Sequence, residues 1–121
     1  MHKPIKYVEK GLTYVKLDGN VGILDPLYAM RDKLKLVSPR HEQCAGHMAD
    51  GYFRVKHSPV ATLTSTGPGS ANMVLGLAQA KFAYSPVVAI TGLASTEHLG
   101  RDAFQEIDQN TLFLPVTKRV M

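Results

Sequence analysis

The chain has 121 residues, a length that suits one domain with one hydrophobic core. Hydrophobic residues make up 45% and charged residues 20%, which is typical of a soluble globular protein and not of a disordered one. The formal net charge is +4, but the Lys and Arg residues are scattered, which argues against nucleic-acid binding. No apolar run approaches the ~20 residues of a membrane span, and no signal-peptide core follows Met1, so we expect a cytoplasmic protein.

Cysteine and histidine usage argues against disulfides and metal sites. Cys44 is the only cysteine, which excludes an intrachain disulfide and a cysteine-based zinc site. It lies in a run of small residues at 44–46, which favours a packed small side chain over a nucleophile. His41 and His47 are six residues apart, so they do not share a helix face as metal ligands at i and i+4 would. We therefore predict no metal site on this chain.

Apolar periodicity and turn residues predict that helices and strands alternate along the chain. Helices are predicted at 4–11, at 23–30, at 40–55 and, after a glycine loop, from Ala71 to Phe82. Strands are predicted at 12–15, 34–37, 59–64, 86–91 and 112–117. A long irregular connection from 92 to 110 leaves room for a short helix at 102–108. This alternation predicts an α/β fold of three layers, a parallel sheet with helices on both faces.

Glu42 stands out because it opens a predicted helix directly after a predicted strand. The strand at 34–37 ends at a Ser-Pro break, and the helix follows at once. Open α/β sheets bind their ligands where a strand end leads into a helix start. The alternative that this stretch leaves open is an ordinary first-turn acid, stabilised by the helix dipole.

The glycine loop at 65–70 invites a nucleotide-binding interpretation, since it lies between a strand and a helix. Gly67-Pro68-Gly69 begins like a dinucleotide-binding fingerprint, but Asn72 stands where the third glycine is required. The strand at 86–91 also lacks the acid that would bind a ribose, and no Gly-Lys-Ser/Thr follows the loop. The nucleotide interpretation is therefore weak, and a backbone anion site at the helix N-terminus stays open.

Three segments together match one family in order, spacing and residue type. They are Arg-His-Glu-Gln at 40–43 with His-Met-Ala-Asp-Gly-Tyr at 47–52, the loop segment 64–72, and the segment 85–92 continued by 100–106. On these segments the chain resembles the N-terminal, pyrimidine-binding domain of thiamine-diphosphate-dependent enzymes, and it is most similar to the acetolactate synthase branch. The resemblance covers nearly the whole chain and implies a flavodoxin-like fold.

The resemblance implies thiamine diphosphate as cofactor and a catalytic role for Glu42. In the family, the glutamate at this position contacts N1′ of the aminopyrimidine and shuttles a proton there, which lets the 4′-imino group deprotonate C2 of the thiazolium. Further cofactor contacts are implied for Thr66, Gly67, Pro68 and Asn72. The substrate side is assigned to Asn20, Phe104 and Gln105, with plain core packing as the alternative for Phe104.

The implied activity is carboligation or decarboxylation of 2-keto acids, with the cofactor carrying the hard chemistry. The family's Gly-Asp-Gly…Asn segment, which holds Mg²⁺ and the diphosphate, is absent from this sequence. We therefore expect residues 1–121 to form a single, incomplete domain, with Mg²⁺ bound by a partner domain or subunit in a homo- or hetero-oligomer. The small residues Gly76, Ala78 and Ala80 suit either a dimer interface or tight packing on the chain's own sheet.

Two further features depart from the family. The loop at 15–20 is short and carries Lys16 where an apolar residue or glycine is expected, so the resemblance does not define the substrate. The last helix and strand of the domain are missing, which predicts truncation at the C-terminal end. The alternative is a non-catalytic remnant that serves as an interaction or oligomerisation module. Retention of Glu42 with the turn at 67–69 favours the enzyme component, since a remnant needs neither.

Overall fold

The computed structural model describes residues 7–9, 12–14 and 21–121. Its strands are β1 (Tyr7–Glu9), β2 (Leu12–Tyr14), β3 (Val60–Thr64) and β4 (Val87–Thr91). Its helices are α1 (Val21–Ala29), α2 (Glu42–Lys56), α3 (Pro68–Phe82) and α4 (Gln109–Phe113), and a 3-10 turn follows at Leu114–Val116. The protein is therefore of the α/β class, as the sequence predicts.

The parallel pairing of β3 with β4 is confirmed and determines where the loops lie. The register runs from Val60 opposite Val87 to Thr64 opposite Thr91, and α3 connects the two strands. Because parallel strands end at the same edge of a sheet, the glycine loop after β3 and the long connection after β4 leave from one edge. That edge is where an open α/β sheet binds its ligand.

The predicted helix at 4–11 is wrong, because residues 7–9 form a strand. β1 pairs antiparallel with β2, with Tyr7 opposite Tyr14 and Glu9 opposite Leu12. Only two residues separate the strands, the second of them Gly11, and short glycine-containing connections favour a hairpin. Aromatic and β-branched residues in both strands suit this pairing. The first strand predicted, at 12–15, is confirmed over 12–14.

Two of the predicted strands, at 34–37 and at 112–117, do not form. Residues 34–37 have no regular structure, and Leu34 and Val37 are exposed, with no partner strand among the described residues. Residues 112–116 are helical instead of extended, and Thr117 alone has extended backbone. Asp108 caps α4 and accepts hydrogen bonds from the Thr111 backbone N–H (3.1 Å) and hydroxyl (2.6 Å), which favours the helix. The short helix considered at 102–108 does not form, and turns occupy that stretch.

Helices α2 and α3 form where the sequence predicts helices, and both begin with recognisable caps, but the predicted apolar face of α3 is largely exposed at Leu75 and Phe82. At the start of α2, the Nδ1 atom of His41 accepts a hydrogen bond from the backbone N–H of Gln43 at 3.2 Å. At the start of α3, Gly67 is the N-cap and Pro68 takes the first helical position, where proline is well tolerated. Both helix starts flank the candidate site.

The two helices cross through a glycine–glycine contact. A Cβ atom on Gly46 of α2 would lie 2.8 Å from the Cα atom of Gly76 in α3, so neither position accepts a side chain without displacement of backbone. Gly76 thus packs against α2 of its own chain, an arrangement that neither sequence-based alternative for this small residue included. One helical turn before the crossing lie Glu42 in α2 and Asn72 in α3.

Candidate functional site

Six of the eight residues predicted for the site lie around the start of α3, at the carboxyl edge of the β3–β4 sheet. Glu42 and Asn72 are hydrogen-bonded to each other, and Gly67 and Thr66 contact Gln105. Pro68 forms the first residue of α3 between these two contacts. The remaining predicted substrate-side residues are Phe104, which is next to Gln105 in the chain, and Asn20, which lies outside the described residues.

The Glu42 carboxylate is held against the first turn of α3. Its Oε2 atom accepts a hydrogen bond from the Asn72 amide Nδ2 at 3.1 Å. Its Oε1 atom lies 3.3 Å from the point that a Cβ on Gly69 would occupy. The Glu42 side chain is half-buried, while Asn72 is exposed. A carboxylate has acceptor capacity beyond one bond, so Glu42 retains the ability to bind a further donor.

Gly67 and Gly69 are required by two different close approaches. Gly67 has φ +42°, in the region that favours glycine, and a side chain there would overlap the backbone carbonyl of Gln105. A side chain at Gly69 would overlap the hydroxyl of Ser65 and crowd Glu42. The family resemblance implies that this turn contacts a pyrimidine ring, and the structure adds two intrachain reasons for its glycines.

The long connection after β4 folds back over the glycine turn. The hydroxyl of Thr66, a buried residue, donates to the side-chain oxygen Oε1 of Gln105 at 3.1 Å. Phe104 is 79% exposed, so it is not packed in the core that the described residues form. The connection thus brings residues 104 and 105 to the turn at 66–67, nearly forty positions earlier in the chain.

Sequence reasoning missed a network of hydrogen bonds around the buried Asp50 of α2, whose cationic partner Arg54 is half exposed. Asp50 accepts hydrogen bonds from Nε and Nη2 of Arg54, both at 3.0 Å, and from the Ser85 hydroxyl at 2.5 Å. The Arg54 guanidinium, followed by the Ser85 hydroxyl, holds the pKa of the Asp50 carboxyl below its usual value, although burial opposes them. This network ties α2 to Ser85, two residues before β4 begins. The spacing of Asp50 and Arg54 at i and i+4 was a signal for the pair, but nothing local indicated Ser85.

The described residues contain no group of three His, Cys, Asp or Glu side chains that would hold a metal ion. In the same part of the chain, no helix has the length and apolar character needed to cross a membrane. A cavity of about 320 Å³ lies beside the end of β4, lined by Thr91, Gln109 and Phe113 among others. Glu42 and the glycine turn are not part of its lining.

A βαβ unit that presents a helix-borne carboxylate to a glycine turn at its carboxyl edge defines an α/β ligand-binding domain. The family model described as "Thiamine pyrophosphate enzyme, N-terminal TPP binding domain" matches residues 11–112, and the chain belongs to this family. Thiamine pyrophosphate and thiamine diphosphate are the same cofactor, so the resemblance stated from the sequence is confirmed.

Several curated relatives are named as acetolactate synthases. The probable acetolactate synthase large subunit of Methanocaldococcus jannaschii is 44% identical over 99 residues, which cover 80% of this chain and 17% of the relative. The acetolactate synthase of Mycobacterium leprae is 44% identical over 96 residues, 79% of this chain and 15% of the relative. The acetolactate synthase large subunit of Cyanidium caldarium is 42% identical over 98 residues, which cover 79% of this chain and 17% of the relative. The chain therefore matches only 15–17% of the length of these relatives.

Proposed function

We propose that the chain is the pyrimidine-binding half of a thiamine-diphosphate-dependent carboligase or decarboxylase of 2-keto acids, similar to acetolactate synthase. The observation that carries this proposal is the placement of Glu42, whose carboxylate is held by Asn72 beside a side-chain-free turn at the carboxyl edge of the sheet. An acid that served only to start α2 would not need a partner 30 residues away on another helix.

The residues present fit an aminopyrimidine ring. Glu42 would hold N1′, since a carboxylate accepts from a protonated ring nitrogen and donates to it when protonated itself. The turn formed by Thr66, Gly67 and Pro68 would lie against the ring, because its glycine leaves backbone uncovered. The side-chain amide of Asn72 lies beside the Glu42 carboxylate and would be next to the ring as well. When bound, thiamine diphosphate supplies the electron sink that takes up the carbanion charge left when a 2-keto acid loses carbon dioxide.

Glu42 acts in this proposal as the general acid and base at N1′. It moves a proton to and from that nitrogen, a role that requires a fixed carboxylate within hydrogen-bond reach. Asn72 holds one carboxylate oxygen and so orients the other. Phe104 and Gln105, with Asn20, line the substrate side, and the Thr66 hydroxyl keeps Gln105 at the glycine turn.

The proposal includes a partner. We treat residues 1–121 as a single domain that lacks the Mg²⁺- and diphosphate-binding part, which a partner domain or subunit in a homo- or hetero-oligomer supplies, in the cytoplasm. One face of α3 supports this, since it carries Asn72 together with Leu75 (57% exposed) and Phe82 (81% exposed). Apolar side chains exposed beside a candidate site favour an interface there.

The Glu42→Gln substitution tests the function directly. The protein is purified with the chains that accompany it, and 2-keto acid consumption and bound thiamine diphosphate are measured. Glutamine cannot exchange a proton at N1′, so we expect turnover to fall at least about 100-fold, the lower range for loss of general acid–base catalysis. Glu97→Gln, the same change at an exposed glutamate of the long connection, is the matched control and should retain turnover.

Unchanged turnover in Glu42→Gln would refute the role of Glu42. A wild-type protein that binds a second chain but no thiamine diphosphate would support the non-catalytic interaction module instead, and one that binds neither would refute the enzyme component.

A further inference from the structure

Glu106 closes a turn in the long connection by binding two backbone amides. Its Oε1 atom accepts from the N–H of Gly100 at 2.6 Å, and its Oε2 atom accepts from the N–H of Ala103 at 2.9 Å. Its own N–H donates to the carbonyl of Ala103 at 2.9 Å. The two oxygens of one carboxylate thus bind backbone amides six and three residues earlier in the chain. We call residues 100–106 the Glu106 turn.

The backbone of the Glu106 turn includes three residues in the left-handed region. Gly100 has φ +73°, and two residues with side chains, Asp102 and Gln105, have φ +54° and +60°. Residues other than glycine occupy this region rarely, and they stay there when surrounding contacts compensate for the strain. The two bonds to the Glu106 carboxylate are contacts of this kind.

The strained residue Gln105 is the one that reaches the candidate site. Its side-chain oxygen accepts from the Thr66 hydroxyl, and its carbonyl occupies the space beside Gly67 that a side chain there would fill. Phe104, the preceding residue, is left largely exposed. The conformation of the turn therefore determines what the glycine loop meets on its open side.

We propose that Glu106 is a positioning residue: its carboxylate holds the Glu106 turn in one conformation, and we call this restraint the lock. The lock keeps Gln105 at Gly67 and places Phe104 next to Gln105, on the substrate side. The substrate-side part rests on the proposed function, whereas the lock itself does not. The N–H groups of Gly100 and Ala103 hold the pKa of the Glu106 carboxyl below its usual value, so both oxygens are acceptors at neutral pH.

The Glu106→Gln substitution tests the lock. Glu97→Gln is the control, because it removes one negative charge from the same connection without affecting the Glu106 turn. Glutamine keeps the length of the side chain, but its amide nitrogen is a donor and cannot bind the second N–H. In the intact protein with its accompanying chains, we expect hydrogen–deuterium exchange in a peptide covering 100–106, and tryptic cleavage after Arg101, to accelerate about tenfold or more. Rates equal to those of the wild type and of Glu97→Gln would overturn the lock.

The positioning role is tested by the substrate dependence of turnover. We expect Glu106→Gln to raise KM for the 2-keto acid several-fold. The Kd for thiamine diphosphate should change less than twofold, because Glu106 holds the turn that carries Gln105 and does not contact Glu42. Glu106→Asp keeps the charge but has a shorter reach, so it should give intermediate values. If the Glu106→Gln variant does not fold, Glu106→Asp can be used in its place for the same measurements.

A double-mutant cycle separates positioning from general stabilisation. If Glu106 acts through Gln105, adding Glu106→Gln to Gln105→Ala should produce little further increase in KM. Fully additive effects would overturn the proposal even if exchange accelerates. Should Glu42→Gln leave turnover intact, the proposed function fails, and the exchange measurement alone then decides whether the lock exists.

Discussion

At the scale of single residues, the candidate site depends on positions where a side chain is missing. Gly67 admits the carbonyl of Gln105, and Gly69 leaves room for Ser65 and Glu42. The approach at Gly67 brings together parts of the chain separated by 38 positions. The Gly-Pro-Gly pattern predicted a turn here, because glycine and proline act on the local backbone. It did not predict Gln105, since nothing near residue 67 indicates which distant segment will approach it.

We predict that Gly67→Ala destabilises the protein by about 1–3 kcal/mol, because it adds strain at positive φ and displaces Gln105. Gly51→Ala is the matched control. Gly51 lies in the middle of α2 with open space around it, so alanine there should stabilise the protein by about 0.5–1 kcal/mol. Chemical denaturation of both variants measures the difference, and equal effects would show that the turn tolerates a side chain.

At the scale of elements, α2 is held by two contacts that lie one turn apart. Gly46 meets Gly76 of α3, and Asp50 accepts a hydrogen bond from Ser85, two residues before β4 begins. The first contact brings the start of α2 to the start of α3, where Glu42 and Asn72 meet. The second ties the middle of α2 to the segment that leads into β4. The position of the carboxylate is thus a consequence of packing elsewhere on the helix.

Asp50→Asn should therefore weaken the protein in a pH-dependent way. The folded-state pKa of Asp50 is lowered, so its contribution to stability is present above the ordinary value of 3.8 and is lost as pH falls through the lower folded value. At pH 7 we expect a loss of about 1–3 kcal/mol, typical of hydrogen bonds to a buried charge.

Urea unfolding across the acid range measures this difference in free energy, which should shrink below pH 3.8. Asp32→Asn, in an exposed turn after α1, is the control that accounts for loss of charge alone. A difference that does not depend on pH would contradict the assigned role of Asp50.

At the scale of the whole molecule, the described residues share a small core between α3 and α4. Met73, Leu77 and Phe113 form its buried centre, and Val87 and Ala89 of β4 pack against it. Met73 has no exposed surface. Because the cluster joins helix, sheet and the C-terminal elements, a cavity there should affect all of them together.

Met73→Ala should lower the free energy of unfolding by about 2–5 kcal/mol, the usual range for a large-to-small change in a core. Leu75→Ala in the same helix is the control, since Leu75 is 57% exposed and its loss should cost less than about 0.5 kcal/mol. Thermal or urea unfolding compares the two. Similar losses would mean that Leu75 is covered in the assembled protein.

The sequence by itself determined the elements whose signals are local and long. Helices α2 and α3 have 15 residues each and were predicted as helices, although the buried face of α3 was not, and β3 and β4 are runs rich in β-branched residues bounded by turn residues. The three family segments also lie in and around these elements, so the family and the candidate residues Glu42 and Asn72 were predictable before any contact was known.

Only the tertiary structure decided the rest. The short segments at 7–9 and 112–117 have weak intrinsic preferences, and a hairpin partner in one case and the Asp108 cap in the other overrode them. The contacts that build the site, Gly46 with Gly76, Glu42 with Asn72 and Gln105 with Gly67, join residues 30 to 38 positions apart. Their physical basis is close packing, which depends on where whole elements come to lie and which no local pattern of residues encodes.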